Sequence, residues 1–576
     1  MKLIQTQLYL SLISLSALFA LTACPLFIGK PSTGSGPLIS RLSSSGTFNY
    51  EVDTGSDTRD IDFVFTASAD RQTGPNLKIA VLSVDGKRLP LPNKPALRGL
   101  YEGQLSKNQR IANSNAEISG YLRTLSVDTP RANSSEYASS ELPVPRLSDN
   151  PGDPIPNGGM VDPDKPSVPI PATCRYLSPL PITVAADGTA RRLSIVVADD
   201  QWGVAPGKIN VTMVTALADR FLKSGDNNDI YDWLTTILGS EWGTSPYSNL
   251  IPHTGDITIF LTDIYDDPIS SGTTVGYFWS VNNFKKSYYS VSNERIMFVI
   301  DASSYANGEG GPDGATWNPS DYWPDIVFST LAHEFQHMIH FYQKQIVFRA
   351  YGQTDVWIDE MCSQLAEDLL ADKMGVLGPR GVPPEDGSAG STANNQGRIP
   401  SYNEFSYLPL EMLYSFDLVD YSTAYAFGAW AARNYGGAEF LRRVVRSPLS
   451  TSAAVSSAAA AGGARASDFD SLIARWAVSV LNSDRQDMPA GYQLNSGSWF
   501  ESKIGGATYR LGSIDFFNYS NGTNAGTGPL LLDGSGSLSG FQASANVYYS
   551  AAMALRGKKK FAISLPEGIV MHIVMK

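Results

Sequence analysis

Along the 576-residue chain the spacing of apolar and polar positions changes several times. Short runs rich in β-branched and aromatic residues come first, at Thr47 to Val52, from Ile61, and up to Val84 before the turn pair Asp85-Gly86. They predict a small β-sandwich over 47–140, expected to act as a spacer, with ligand binding as the alternative. Glu141 to Pro171 holds nine prolines among glycine and aspartate, so 141–172 reads as a semi-extended linker with no core of its own. From 173 to 495 apolar runs from Leu193, Ile257 and Arg295 predict sheet strands, and Val211 to Leu222 an amphipathic helix between the first two. Helical spacing then takes over from Pro324, across Asp355 to Leu370, and from Glu411, Asp420 and Phe469. Between these helices Gly375 to Pro400 is rich in Gly, Pro, Ser and Asn, and predicts a long loop or lid. Period-2 runs return over 496–576, with turn signals at Asn521-Gly522 and Asp533-Gly534. The fold class predicted is α+β: a central unit with a mixed sheet and a helical half, flanked by N- and C-terminal sandwich-like β domains.

The chain has five histidines, and three of them fall in T-L-A-H-E-F-Q-H-M-I-H, at His333, His337 and His340. Pro324 and Asp325 suit a helix start, and Ile326, Val327, Leu331, Phe335, Met338, Ile339 and Phe341 give an apolar surface with no breaker. On such a helix His333 and His337 lie one turn apart on one face, where two imidazoles can meet one metal ion. Glu334 stands about 100° round the helix, near enough to reach a water there without being a ligand. That is the arrangement of the HExxH zinc proteases. A chance match in a surface helix is the plain alternative, and the scarcity of histidine elsewhere weighs against it.

A third ligand is needed. Metzincins carry a histidine six residues past the second; here that position is Gln343, and no glycine follows until Gly352. His340 is a turn too far along a straight helix and reads as packing or as support for a ligand. Glu360, in D-V-W-I-D-E-M-C-S-Q-L-A-E-D-L-L, lies where an antiparallel helix would return past the first, and Trp357, Ile358, Met361 and Cys362 surround it with apolar groups. Glu367, two turns on, could hydrogen-bond a ligand histidine.

L-A-H-E-F-Q-H-M-I together with W-I-D-E resembles the gluzincin clan, most nearly the hyicolysin-type bacterial metallopeptidases, over about Tyr322 to Leu370. The resemblance implies a zincin-like fold, one zinc ion per chain held by His333, His337 and Glu360, Glu334 as general base, and protein or peptide substrates. It departs from the common W-x-x-E-G pattern at Met361. Tyr421 resembles the tyrosine that donates to the oxyanion in related gluzincins, with Tyr425 as its competitor and helix packing as the plain reading of both. The stretch S-N-E-R-I-M-F-V-I-D lacks the G-x-M-E-N segment with which aminopeptidases of the clan hold a free amine, so the expected cut is internal to a polypeptide.

Charge and cysteines supply the address. With 44 basic against 56 acidic side chains, a net charge of −12 and 11% aromatic residues, nucleic acid is not an expected partner. Residues 1–23 read as a secretory signal ending in Leu21-Thr22-Ala23-Cys24, which looks like a bacterial lipobox. Acylation of Cys24 would tether the mature chain to a membrane through a flexible Ser/Gly/Pro-rich stretch, 24–46, on the outer or cell-surface side of a bacterial envelope. Cys174 and Cys362 read as two buried thiols, with one disulfide as the alternative. Asp226, Asn228, Asp229 and Asp232 hint at calcium, but Ile230 breaks the loop pattern and a solvated turn is preferred. Oligomeric state is not legible. The expected function is a membrane-anchored, extracytoplasmic zinc endopeptidase; a surface binding lipoprotein with a non-hydrolytic zinc site, and a zinc hydrolase of non-peptide bonds, are the rival classes.

Overall fold

The computed structural model describes residues 38–43, 45–69, 80–84, 107–125, 150–179, 181–184, 190–252, 256–264, 274–308, 316–376, 378–381, 397–411, 418–521, 526–532 and 542–576. The signal segment, Cys24, most of the tether, Asp85-Gly86, His253, Gly522, Asp533-Gly534, most of the run from Glu411 and most of the long loop before Pro400 lie outside them.

The N-terminal part contributes β1 (Leu38–Leu42), β2 (Gly46–Ala67), β3 (Ala80–Val84) and the helix α1 (Lys107–Thr124). The central sheet follows with β4 (Ala172–Leu177), β5 (Ile182–Thr183), β6 (Ala190–Ala198), β7 (Asp256–Thr262), β8 (Gly276–Tyr277) and β9 (Ile296–Asp301). Its order is β4-β6-β7-β9-β8, with β5 on β6; β6, β7 and β9 are parallel, while β4 and β8 run antiparallel at the two edges. Parallel strands covered on both faces need apolar residues on both, which is why L-S-I-V-V-A, I-T-I-F-L and I-M-F-V-I are nearly unbroken apolar runs.

Two helices sit between β6 and β7: α2 (Val211–Phe221), capped by Asn210, and α3 (Ile230–Leu238), capped by Asp229. The suggested calcium cluster is occupied by this capping, since Asp229 accepts from the backbone N–H groups of Asp232 and Lys223. A short helix α4 (Ala302–Tyr305) follows β9 and leads to α5 (Tyr322–His340), which carries the histidines. Helix α5 runs on into a buried π-helical turn, Phe341–Val347, and the chain reverses at Arg349, whose φ is 46°, into α6 (Val356–Met374). The helical half is completed by α7 (Arg398–Glu404), α8 (Leu418–Tyr435), α9 (Ala438–Val445), α10 (Ser452–Ala461) and α11 (Phe469–Leu481).

Helix α6 is buried over most of its length, from Trp357 to Ala371. Truncating Leu365, which is fully buried, to alanine would cost about 2–5 kcal/mol. Met361, where the resemblance leads one to expect glycine, is buried against α8, and α8 makes the room: a Cβ on Gly428 would stand 2.6 Å from Met361 Cγ. Asp368, also on α6, is buried with Arg433 at 3.0 Å and accepts from the Tyr425 hydroxyl at 3.0 Å.

After the hairpin β10 (Phe500–Ile504) and β11 (Ala507–Leu511), the chain ends with β12 (Leu531–Leu532), β13 (Asn546–Leu565) and β14 (Ile569–Met575). The segments expected as two flanking β domains meet in one sheet, β1-β14-β2-β13-β12 with β3 on β13, so that Leu38 pairs with Met575 and Gly46 with Leu565. Strand spacing revealed the strands; it carries no information about a partner five hundred positions away. Alternation along these strands serves two cores: Phe63, Phe65 and Tyr549 face one way into a small core of the sheet, while Val64, Tyr548 and Val574 face the helical half and join the main core.

Three further expectations are corrected. Residues 47–140 hold α1 as well as strands, and part of the tether is the strand β1. The described part of the proline-rich linker, 150–172, folds against the central sheet, bridging Pro154 to Thr173 and Met160 to Ile170. Cys174 and Cys362, by contrast, are the buried free thiols expected. Among the described residues no helix is long and apolar enough to cross a membrane.

Candidate metal centre

Helices α5 and α6 pass antiparallel, because successive contacts run in opposite directions along them. Asp359 meets His337 and His340, Glu360 meets His333 and His337, and Glu367 meets His333 and Ser329. One ligand atom from each of His333, His337 and Glu360 lies within 4.8 Å of the others. Glu360 is 7% exposed, and its Oε2 stands 3.3 Å from His333 Nε2 and 3.7 Å from His337 Nε2.

The opposite edges of both imidazoles are held by carboxylates. Glu367 Oε1 is 2.7 Å from His333 Nδ1, and Asp359 Oδ1 is 3.1 Å from His337 Nδ1. A carboxylate beside Nδ1 holds that edge of the ring and turns Nε2 toward the other ligand atoms. Both Nε2 atoms converge on Glu360 Oε2, a buried oxygen with no hydrogen-bond partner among the described residues. A buried carboxylate facing two imidazoles needs positive charge beside it, supplied by ring protons or by a metal ion in their place. Ligands about 2.0–2.1 Å from a tetrahedral zinc stand about 3.3 Å apart, close to the 3.3 and 3.7 Å from Glu360 to the two imidazoles, so this donor set fits zinc.

Glu334 is 5% exposed and is not one of the converging ligands. Burial pushes its carboxyl up to about 7, against the pull of His333 and His337. Burial alone would lower His337, but Asp359 and Glu360 outweigh it and raise the imidazole to about 9. The edge strand β8 comes directly against this part of α5. A Cβ on Gly276 would meet Thr330 Cγ2 at 2.9 Å and Glu334 Cγ at 3.0 Å, so glycine is what permits the approach.

Tyr421, on α8, is 9% exposed and lies close enough to Glu360 and Glu334 for their charges, after burial, to raise its hydroxyl well above the usual range. Its competitor Tyr425 is engaged elsewhere, donating to Asp368. His340 is buried; its Nδ1 is 3.0 Å from Asp359 Oδ1, so it braces the acid that holds His337. His572 is buried in β14, apart from the cluster.

Asp359, Ser329, Gly276, Gln364 and Arg398 were not singled out from sequence. Asp359 had a local signal, being the acid next to Glu360 at the mouth of α6. Ser329 donates to Glu367 Oε2 at 2.6 Å and fixes it. Gln364, one turn beyond Glu360, donates to the Glu360 carbonyl and accepts from Arg398 Nε at 2.7 Å, which brings the Arg398 guanidinium to 5.7 Å from the centre of the Tyr421 ring.

Residues 180–554 match the family Peptidase M30. Over 126 residues the chain is 32% identical to the neutral metalloprotease ShpI of Staphylococcus hyicus, a stretch that is 21% of this chain and 26% of that protein. The chain thus spans about a quarter of the length of this curated relative. Among solved structures, the M1 zinc metallopeptidase of Deinococcus radiodurans aligns with a TM-score of 0.27 at 12% identity, covering 52% of this chain and 50% of that one. A substrate-bound mutant of the same enzyme gives 0.26 at 14% identity, covering 50% and 48%.

Proposed function

The chain belongs to the peptidase M30 family, and on that premise we propose that it is a zinc-dependent endopeptidase, exported and lipid-anchored through Cys24. The observation that carries the reading is the convergence of two Nε2 atoms on the buried Glu360 Oε2. A zinc ion held by His333, His337 and Glu360 would supply a Lewis acid for the scissile carbonyl and a lowered pKa for water.

The remaining work falls to the chain itself. Glu334 accepts the proton of the attacking water and delivers it to the leaving amine; the burial that raises its carboxyl to about 7 suits a group that must both take and give a proton near neutrality. The Tyr421 hydroxyl, kept protonated by burial, donates to the carbonyl oxygen as it gains charge. Glu367 and Asp359 hold the imidazoles with Nε2 turned inward. At Gly276 a peptide pairs in extended form with the outer edge of β8, which no other described strand occupies, and this suits cleavage within a chain.

The test uses protein lacking the signal segment, with casein and gelatin as substrates and metal content measured in parallel. One zinc per chain, cleavage abolished by a chelator and restored by zinc, and loss of turnover by about 10²–10⁴-fold in Glu334→Gln with zinc retained are expected. Stoichiometric zinc with no cleavage of any protein would favour the binding lipoprotein. For the anchor, radiolabelled palmitate should enter the full chain and not Cys24→Ser.

A further inference from the structure

Among the described residues no strand pairs with the outer edge of β8, and α1 ends that edge. Val275 C=O accepts from Asp301 N–H at 2.8 Å, so residue 275, and by antiparallel alternation residue 277, turn their backbone groups toward β9. Gly276 therefore turns its N–H and C=O outward, beside Glu334. The next outward carbonyl, that of Phe278, is taken: Asn115 Nδ2 donates to it at 2.9 Å. The same Asn115 amide accepts through Oδ1 from Ser280 N–H at 2.8 Å and from the Ser280 hydroxyl at 2.8 Å, and neighbouring Ser114 Oγ accepts from Trp279 Nε1 at 3.0 Å. One side-chain amide thus gives and takes as the backbone of an added strand would.

Helix α1 is anchored while it does this, with Ile111, Ile118 and Leu122 buried in the main core and the ring of Tyr121 edge-on to that of Tyr289. It also lies ahead of the residues that match the family, 180–554.

We propose that α1, through Asn115, is a specificity element that closes the substrate edge one rung beyond Gly276. A peptide can then pair with β8 beside Glu334, but on the side leading to Phe278 its backbone meets α1. Residues added to a substrate on that side gain nothing, and the enzyme reads its substrates from the other side of the cut. The inference rests on the peptidase reading, and on peptides pairing with β8.

The experiment compares the zinc-loaded exported chain with Asn115→Ala on two series of internally quenched peptides. One series is lengthened residue by residue on the N-terminal side of a fixed cleavage site, the other on the C-terminal side. For the wild type, kcat/KM should stop rising early in one series. In Asn115→Ala the Phe278 carbonyl and Ser280 N–H are released and α1 is held less firmly. The longer peptides of that series alone should gain about five- to tenfold, as one or two backbone hydrogen bonds would give, while the shortest peptide stays unchanged. Asn115→Asp, which removes the donor to Phe278 and keeps the acceptor, is the second variant should alanine prevent folding, and should shift the profile the same way. If the wild type cleaves the peptides and both variants keep its length profile, or gain equally at every length, the role of α1 is overturned and the peptidase reading stands. If zinc-loaded wild type cleaves no peptide at all, the peptidase reading fails and takes this inference with it.

Discussion

Glu367 touches no substrate and, in the arrangement proposed, no metal, yet it should control zinc affinity. Its Oε1 lies 2.7 Å from His333 Nδ1, its Oε2 accepts from Ser329, and it is 7% exposed. Replacing it by alanine removes a charge-assisted hydrogen bond in a site nearly closed to water, worth about 1.5–3 kcal/mol. The loss falls on the metal-loaded state, because the ring of His333 becomes free to rotate and its Nε2 becomes a weaker donor. At about 1.4 kcal/mol per tenfold change, zinc affinity should fall about 10- to 100-fold, the range seen when such supports are removed from zinc sites. Glu367→Gln keeps a neutral acceptor of the same shape and should lose about three- to tenfold. The assay is competition for zinc against a chromophoric chelator at constant pH, with melting of the metal-free proteins followed in parallel to separate fold stability from metal affinity. Folded Glu367→Ala binding zinc within about twofold of wild type would refute the argument, since a measurable loss is required by the strength of the bond removed.

Other perturbations separate chemistry from packing. Tyr421→Phe should lower kcat by about 10²–10³-fold with little change in melting, whereas Tyr425→Phe should spare kcat and cost about 1–3 kcal/mol by stripping a partner from buried Asp368; reversed outcomes in steady-state kinetics and thermal melts would exchange the two assignments. Gly276→Ala places a methyl 2.9 Å from Thr330 Cγ2 and 3.0 Å from Glu334 Cγ. It should lower kcat/KM by about 10²-fold through misplacement of the base, with zinc content unchanged and partial recovery in Thr330→Ala/Gly276→Ala; unaltered kinetics would count against the close approach. His572 is held at about 4, first by burial and then by Arg41 directly across from it on β1. The neutral ring is thus the folded form, and its contribution is complete above about 6.5 and lost as pH falls through 4, about 3 kcal/mol in all. Urea midpoints at pH 7 and pH 4 should differ less in His572→Gln than in wild type, and an equal difference would contradict the assignment.

The clustering of His333, His337 and Glu360 was legible because its information is local. His333 and His337 are related by one helical turn, and Glu360 stands on the next helix, so spacing and apolar context brought the three together on paper. The strands of the central sheet were legible for a similar reason, since a strand buried on both faces has no polar alternation to obscure it. What escaped were relations between distant segments. Gly276 matters only because α5 presses against β8, and nothing near residue 276 announces that. Helix α1 has just three deeply buried apolar positions among its described side chains, Ile111, Ile118 and Leu122, too sparse a stripe to overrule the strands that precede it. The end strands were read correctly as strands, yet their pairing across the chain could not be read, because a hydrophobic face specifies its register and not its neighbour.

That pairing has a consequence for how the molecule comes into being. Strand β2 is 22 residues long and, among the described residues, finds its neighbours in β13 and β14 alone. During synthesis it must therefore wait, unpaired and rich in β-formers, while nearly five hundred residues follow it. Closing so distant a contact is slow, and an idle strand is the kind of surface on which chains stick to one another. The protein completes itself last at its own seam, and until then it depends on whatever keeps its unpaired strands apart.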